Sequence, residues 1–306
     1  MKSFIKKIKE GEFYSILKIQ SCIIKTITDF MHRRKVLQLM PVILAPETDP
    51  LCHSTIDATI NYYGQKLKLT KSMLLHKQIA LASKELSKIF IMSPNIRLET
   101  KDLQKTKRHL IEFTQLDIEF KNKTKKEFMD FIEDLIIEIF KAVKQDCKQE
   151  LEKLKRNLIT PTKPFKIYES EELKKEYGKS FEKIISEKSK EPFWILNHKR
   201  EFYDREDKKQ TGYYHNYDLI WPEGFGEALS GGEREYKYKE ILRKMEQRKM
   251  SLKNHKNYLK IAKLGMLQKT VGGGLGIERL IRFITGIKEI KDILLFPRIP
   301  GEKIII

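Results

Sequence analysis

VGGGLGIERLIR, residues 271–282, is the most constrained stretch of this 306-residue chain. Gly272, Gly273, Gly274 and Gly276 remove side chains where a backbone must come close to another group or take positive φ. The run turns directly into an amphipathic helix that carries Arg279, and a helix N-terminus presents N–H groups to an anion. Glycines before a helix serve tight packing or a plain turn as often as a phosphate. The stretch is neither a GxGxxG opening a βαβ unit nor a complete GxxxxGK[ST] loop, so its meaning depends on the rest of the chain.

A chain of this length with 40% hydrophobic residues can bury a substantial core, and the absence of repeats or low-complexity linkers points to one catalytic domain over residues 1–306. No apolar run approaches the roughly 18 residues that span a bilayer. The start, MKSFIKKIKEGEFY, lacks an apolar signal core, so a cytoplasmic, membrane-free protein is expected. Cys22, Cys52 and Cys147 lack zinc-type spacing and are expected to be free thiols. The formal charge of +19 is spread through lysine–glutamate patterns of helical spacing, the signature of solvated faces more than of a nucleic-acid groove.

Residues 1–39 have the apolar spacing of a helix, stopped by Pro41, and PVILAP (41–46) is expected as a strand. Residues 60–69 predict a hairpin around Tyr63-Gly64, after which Thr70 caps a helix over 72–90. IFIMSP (89–94) and the alternating HLIEFTQLDIEF (109–120) predict two antiparallel strands with Arg97 and Glu99 near the bend. Helices are expected over 128–158, from Ser170 with its hydroxyl as a cap, and over 235–264. FWIL (193–196), YDLI (217–220) and EALS (227–230) predict further sheet.

Three carboxylates, Glu99, Asp218 and Glu227, lie beside strands or turns together with Arg97, Arg108, His109, Arg234 and Arg279. Any one acid could merely pair with a surface lysine. Together they point to a polyphosphate site, since Mg²⁺ takes one or two carboxylates plus phosphate oxygens and arginine forks grip phosphate.

These stretches resemble the class II aminoacyl-tRNA synthetases, within them the aspartyl/asparaginyl branch. The likeness rests on the helix and strand ending at Pro46, on Arg97-x-Glu99 followed by RHLIEFTQLDIEF, and on GGGLGIERL. LTKSMLLHKQ (69–78) and GEALSGGERE (226–235) are similar to stretches of that branch. The resemblance implies an α+β fold, an antiparallel sheet flanked by helices, and a homodimer joined through the first motif.

It also implies roles. Arg97 meets the α-phosphate and the attacked carboxylate, with Arg279 opposite as the second catalytic arginine. Phe113 stacks on adenine, Glu99 faces its amino group, Arg108 and His109 meet the outer phosphates, and Gly274 and Gly276 give ATP room. Asp218 and Glu227 hold Mg²⁺. Lys77, Gln115, Asp117 and Arg234 hold the amino acid, and two cations there favour aspartate.

About forty residues precede the first motif, so a catalytic core without an anticodon-binding barrel is expected. Such a core is similar to archaeal asparagine synthetases related to asparaginyl-tRNA synthetase, through TDPLCH (48–53), SMLLHKQ (72–78) and FYDRE (202–206). That resemblance implies aspartate plus ammonia and ATP giving asparagine, AMP and pyrophosphate, with Lys77 and Arg234 on the α-carboxylate. The alternatives are a free-standing paralogue that aminoacylates tRNA or a protein, and a silent nucleic-acid-binding paralogue.

Overall fold

A computed structural model describes residues 7–8, 11–51, 53–198 and 202–304; Cys52 and residues 1–6 and 9–10 of the expected N-terminal helix lie outside it. Helix α1 (Gly11–Arg33) buries Ile16, Ile19, Ile23, Ile27, Phe30 and Met31 on one side. It ends well before Pro41. Lys35 adopts a φ of 55°, and the Val36 N–H donates back to Met31 O at 3.0 Å, a left-handed stop made without glycine. A two-residue strand, β1 (Leu37–Gln38), stands where the expected helix would have continued, and the expected strand over 41–46 is reduced to β2 (Leu44–Ala45).

The hairpin β3 (Thr59–Tyr62) and β4 (Gln65–Leu69) turns through Tyr63 and Gly64, both at positive φ, the two-residue turn that matches strand twist. Thr70 caps nothing: the helix starts only at Leu74, and the buried Thr70 hydroxyl has no hydrogen-bond partner. The helix that follows is only α2 (Leu74–Ala80), shorter than expected. Strands β5 (Lys88–Ile96) and β6 (Glu112–Lys121) pair antiparallel, with Arg97 and Glu99 in their connection.

The next long helix starts earlier than expected, at α3 (Lys125–Asp146), where Thr124 and Glu127 form a capping box; it breaks at Cys147 before α4 (Lys148–Lys153). After β7 (Lys166–Glu169) come α5 (Ser170–Tyr177) and α6 (Phe181–Lys188). Ser170 is no cap, since its hydroxyl donates to Asn197 O at 2.5 Å. Strands β8 (Phe193–Leu196), β9 (Asn216–Trp221) and β10 (Gly226–Glu233) follow. The charged stretch over 235–264 divides into α7 (Tyr238–Gln247) and α8 (Lys256–Lys263), and the chain then enters β11 (Thr270–Gly276) and α9 (Ile277–Thr285).

The eight-stranded sheet runs β1-β5-β6-β11-β10-β9-β8-β7. It is mixed rather than purely antiparallel: β1 with β5 and β7 with β8 are parallel edge pairs around an antiparallel centre. The glycine run is therefore strand β11, hydrogen-bonded to β6 and β10, and none of its four glycines has positive φ. Close approach is what requires them. A Cβ on Gly272 would overlap Glu119 Oε2 and Ile118 O, and one on Gly274 would lie 2.7 Å from Gln115 Nε2.

One face of the sheet, with Leu116, Ile118 and Phe120 of β6 and Val271 and Leu275 of β11, packs on α1, α3 and α9. The other presents Gln115, Asp117 and Glu119. Beside it a smaller cluster, Leu74, Leu75, Tyr203, Ile241 and Tyr258, joins α2, α7 and α8. Among the described residues no helix is long and apolar enough to cross a membrane.

Gly272→Ala is expected to reach or exceed the upper end of the roughly 1–3 kcal/mol penalty for overpacking, because the added methyl meets a buried carboxylate and a backbone carbonyl. Denaturant unfolding followed by circular dichroism measures it; wild-type stability would refute this account of the glycine strand.

Candidate active site

Period-two alternation builds the floor of the site. In the register of β6 and β11, Gln115, Asp117 and Glu119 stand opposite Gly276, Gly274 and Gly272, so polar side chains share one face with bare backbone. Above that floor lies a cleft of two lobes with about 750 and 800 Å³ of empty space, solvent mouths included. Arg97, Glu99, Arg108, His109, Phe113, Gly276 and Arg279 line the first lobe. Lys77, Asp117, Asp204 and Arg234 line the second, and Arg97, Gln115, Glu227 and Gly274 belong to both.

The first lobe is rich in arginine. Arg97 donates from Nε to Lys71 O at 2.9 Å and lays its guanidinium 5.0 Å from the Phe113 ring centroid. The face of Phe113 expected to receive a base thus already meets a cation. Glu99 lies 3.0 Å from Nε2 of His53, a partner absent from the expectation. Arg279 pairs with Glu227 at 3.0 Å and Arg108 with Glu182 at 3.0 Å. His109 is held neutral: burial first, then the charges of Arg279 and Arg108, push its pKa down to about 3. Glu278, next to Arg279, goes the other way, to about 7, chiefly through burial, while it accepts the Thr114 N–H.

The second lobe is a buried charge network. Lys77, 1% exposed, donates to Asp117 at 2.7 Å and lies 3.5 Å from Glu119. Arg234, 3% exposed, donates from Nε to Glu119 at 3.1 Å and from Nη2 to Gly272 O at 3.0 Å, with Asp204 at 3.7 Å. Burial opposes the Arg234 charge, but Glu119 and Asp204 outweigh it and hold the guanidinium protonated. Lys77 is no surface residue of an amphipathic helix. Asp117 keeps one buried oxygen, Oδ2, without a hydrogen-bond partner.

Glu227 lines both lobes, whereas Asp218 lines neither; it is 5% exposed and sits 3.2 Å from His198 Nε2. Both carboxylates are close enough to act on the charge of Arg108. Among the described residues no group of three or more metal-type side chains exists. A Mg²⁺ ion at Glu227 would have to complete its shell with phosphate oxygens and water, not within a closed protein cage.

Glu119, Asp204, Asp49, His53 and Glu278 were not foreseen. Glu119 was within reach, two residues beyond Asp117 on an alternating strand. Asp49, which accepts from Ser72 at 2.7 Å and Tyr203 at 3.2 Å, and Asp204 reach the lobe from loops, where spacing gives no signal.

A family model described as tRNA synthetases class II (D, K and N) matches residues 2–300. The aspartate–tRNA(Asp/Asn) ligase of Methanopyrus kandleri is 29% identical over 311 residues, covering 95% of this chain and 69% of that protein. The asparagine–tRNA ligase of Thermoplasma acidophilum is 26% identical over 311 residues, covering 95% and 70%. The asparaginyl-tRNA synthetase of Pyrococcus horikoshii, solved with asparaginyl-adenylate, shares the fold with a TM-score of 0.86 at 24% identity, covering 97% of this chain and 71% of its own. These relatives are named as tRNA ligases, not as ammonia ligases.

The His109 imidazole is expected to titrate near pH 3 in the folded chain instead of near 6.5, read by NMR of its ring protons. Because the folded state binds this proton more weakly than the unfolded state, His109 contributes stability above pH 6.5 that is lost as pH falls towards 3. His109→Gln should flatten that loss; an unchanged acid-unfolding profile would contradict it.

Proposed function

The chain belongs to the class II tRNA synthetases (D, K and N), and on that premise we propose that it is a ligase that activates aspartate with ATP and passes the aspartyl group to tRNA. The supporting observation is the two-lobed cleft joined at Arg97, cationic for phosphates on one side and floored by Lys77 and Arg234 on the other. ATP takes the first lobe, with the phosphates among Arg97, Arg108 and Arg279. Aspartate takes the second, its side-chain carboxylate on Lys77 and Arg234 and its α-carboxylate beneath Arg97.

An α-carboxylate oxygen forms a bond to the α-phosphorus as the bond to pyrophosphate breaks, and Arg97 and Arg279 spread the developing charge. Glu227, with phosphate oxygens and with Asp218 turned away from His198, would hold Mg²⁺, and the ion would neutralise the departing pyrophosphate. A tRNA hydroxyl then attacks the acyl carbon and AMP leaves. The names of the relatives support tRNA as acceptor, and the +19 charge is compatible with a polyanionic partner. Ammonia is the second reading, favoured by the TDPLCH, SMLLHKQ and FYDRE stretches; it requires aspartate reversed, with the α-carboxylate on Lys77 and Arg234.

The product reports the pose. With ATP, Mg²⁺, labelled aspartate, tRNA and ammonium present together, acid-precipitable, ribonuclease-sensitive aspartyl-tRNA is expected. Free asparagine formed without RNA would replace the tRNA reading with the ammonia reading; absence of aspartate-dependent ATP–pyrophosphate exchange would refute activation itself. Lys77→Gln should abolish that exchange yet leave ATP binding intact by calorimetry, since Lys77 lines only the second lobe.

The proposal includes a homodimer. Leu37, Met40, Ile43 and Leu44, beyond α1, are exposed apolar side chains close together in sequence, the residues of the first motif. Light scattering is expected to report a dimer for the wild type and a monomer for Met40→Glu; a monomeric wild type with full activity would exclude this interface.

A further inference from the structure

Arg108, expected on the outer phosphates, is paired with an acid outside the motifs. Its Nη1 lies 3.0 Å from Oε1 of Glu182, a residue of α6 that none of the motifs assigns to the site. The contact is built into the fold. Gly226 has a φ of 74°, and a Cβ there would collide with Arg108 Nη1 and lie 3.5 Å from Glu182 Oε1. Helix α6 is pinned to the same turn by Ser186, whose hydroxyl donates to Trp221 O at 2.6 Å and accepts from Gly226 N–H at 3.2 Å.

The guanidinium also lies in the field of Glu227 and Asp218. Burial works against its charge, but these acids and Glu182 keep it protonated. A protein cation thus occupies the neighbourhood in which Mg²⁺ and phosphate would be neutralised.

We propose that Glu182 is a positioning residue, a latch that holds Arg108 beside Glu227 and Asp218 until ATP and Mg²⁺ arrive together. Phosphate oxygens compete with Glu182 for the arginine fork, and Mg²⁺ competes for the acids with cationic side chains, Arg108 through its field and Arg279 through its ion pair with Glu227. Both competitions resolve in one exchange: Arg108 moves to phosphate as Mg²⁺ enters. The latch rests on the ATP reading above, and it ties nucleotide affinity to the divalent ion.

Calorimetric titration of a non-hydrolysable ATP analogue, with and without Mg²⁺ and without aspartate, tests it. A partly exposed ion pair of this kind corresponds to an affinity gain of about two- to five-fold when released. Glu182→Gln and Glu182→Asp are both expected to show that gain and a smaller benefit from Mg²⁺. Aspartate keeps the charge but stops one methylene short of Arg108, so its gain separates release of the latch from loss of repulsion. In an Arg108→Gln background both gains should vanish. Tightening by glutamine alone, or gains that persist without Arg108, would overturn the latch, as would wild-type affinity in both variants. A wild-type chain that binds no analogue would overturn the ATP reading along with it.

Discussion

Glu119 opposite Gly272 is the contact on which the site depends. A carboxylate with no solvent exposure is expensive to hold charged, and this one is satisfied by Arg234, by the Thr270 hydroxyl at 2.8 Å and by Lys77 at 3.5 Å. The same oxygens fix two cations that approach from different elements, α2 and the end of β10. Room for them exists only because the adjacent strand has no side chain at 272. The glycines thus serve the buried charge network first, and the open floor of the nucleotide lobe follows from the same register.

One strand serves both core and site. Leu116, Ile118 and Phe120 of β6 anchor it to the main core, and the intervening Gln115, Asp117 and Glu119 are thereby aimed into the cleft. The amino-acid lobe inherits the rigidity of the sheet. Arg97, Arg108 and His109 lie instead on the connection between β5 and β6, with Lys107 at a φ of 59° in its bend. Under the proposed reading the amino acid is met by side chains of the sheet and of α2, whereas three of the groups assigned to the phosphates sit on a connecting segment.

The sheet and its polar face were legible because alternation and glycine content are local properties. HLIEFTQLDIEF gave the strand, and Lys77, Asp117, Arg97, Arg234 and Arg279 all reach the cleft. Boundaries were not. Thr70 has the chemistry of a cap, but the helix starts only at Leu74 and leaves its hydroxyl without a partner; Lys35 ends α1 where neither glycine nor proline marks a stop. The glycine run was expected to be backbone freed for close approach or positive φ ahead of a helix; close approach is what it provides, within a strand, and the bulk of Glu119 and Gln115 on the neighbouring strand explains why. Asp218 was expected among the open ligands and is turned towards His198, a contact between loop and sheet that spacing cannot encode.

Charge balance in the second lobe bears on substrate choice under the proposed reading. Lys77 and Arg234 face Asp117, Glu119 and Asp204, so the cations are already neutralised, and a substrate cannot be drawn in by net charge alone. Discrimination must come from the direction of hydrogen bonds. A carboxylate offers only acceptors to the N–H groups of both cations, whereas an amide brings two donors that must share the acids with the substrate's own ammonium. The unpartnered Oδ2 of Asp117 completes the match, because aspartate brings one ammonium along with its two carboxylates. Lobe and ligand then satisfy each other without moving a residue of the sheet.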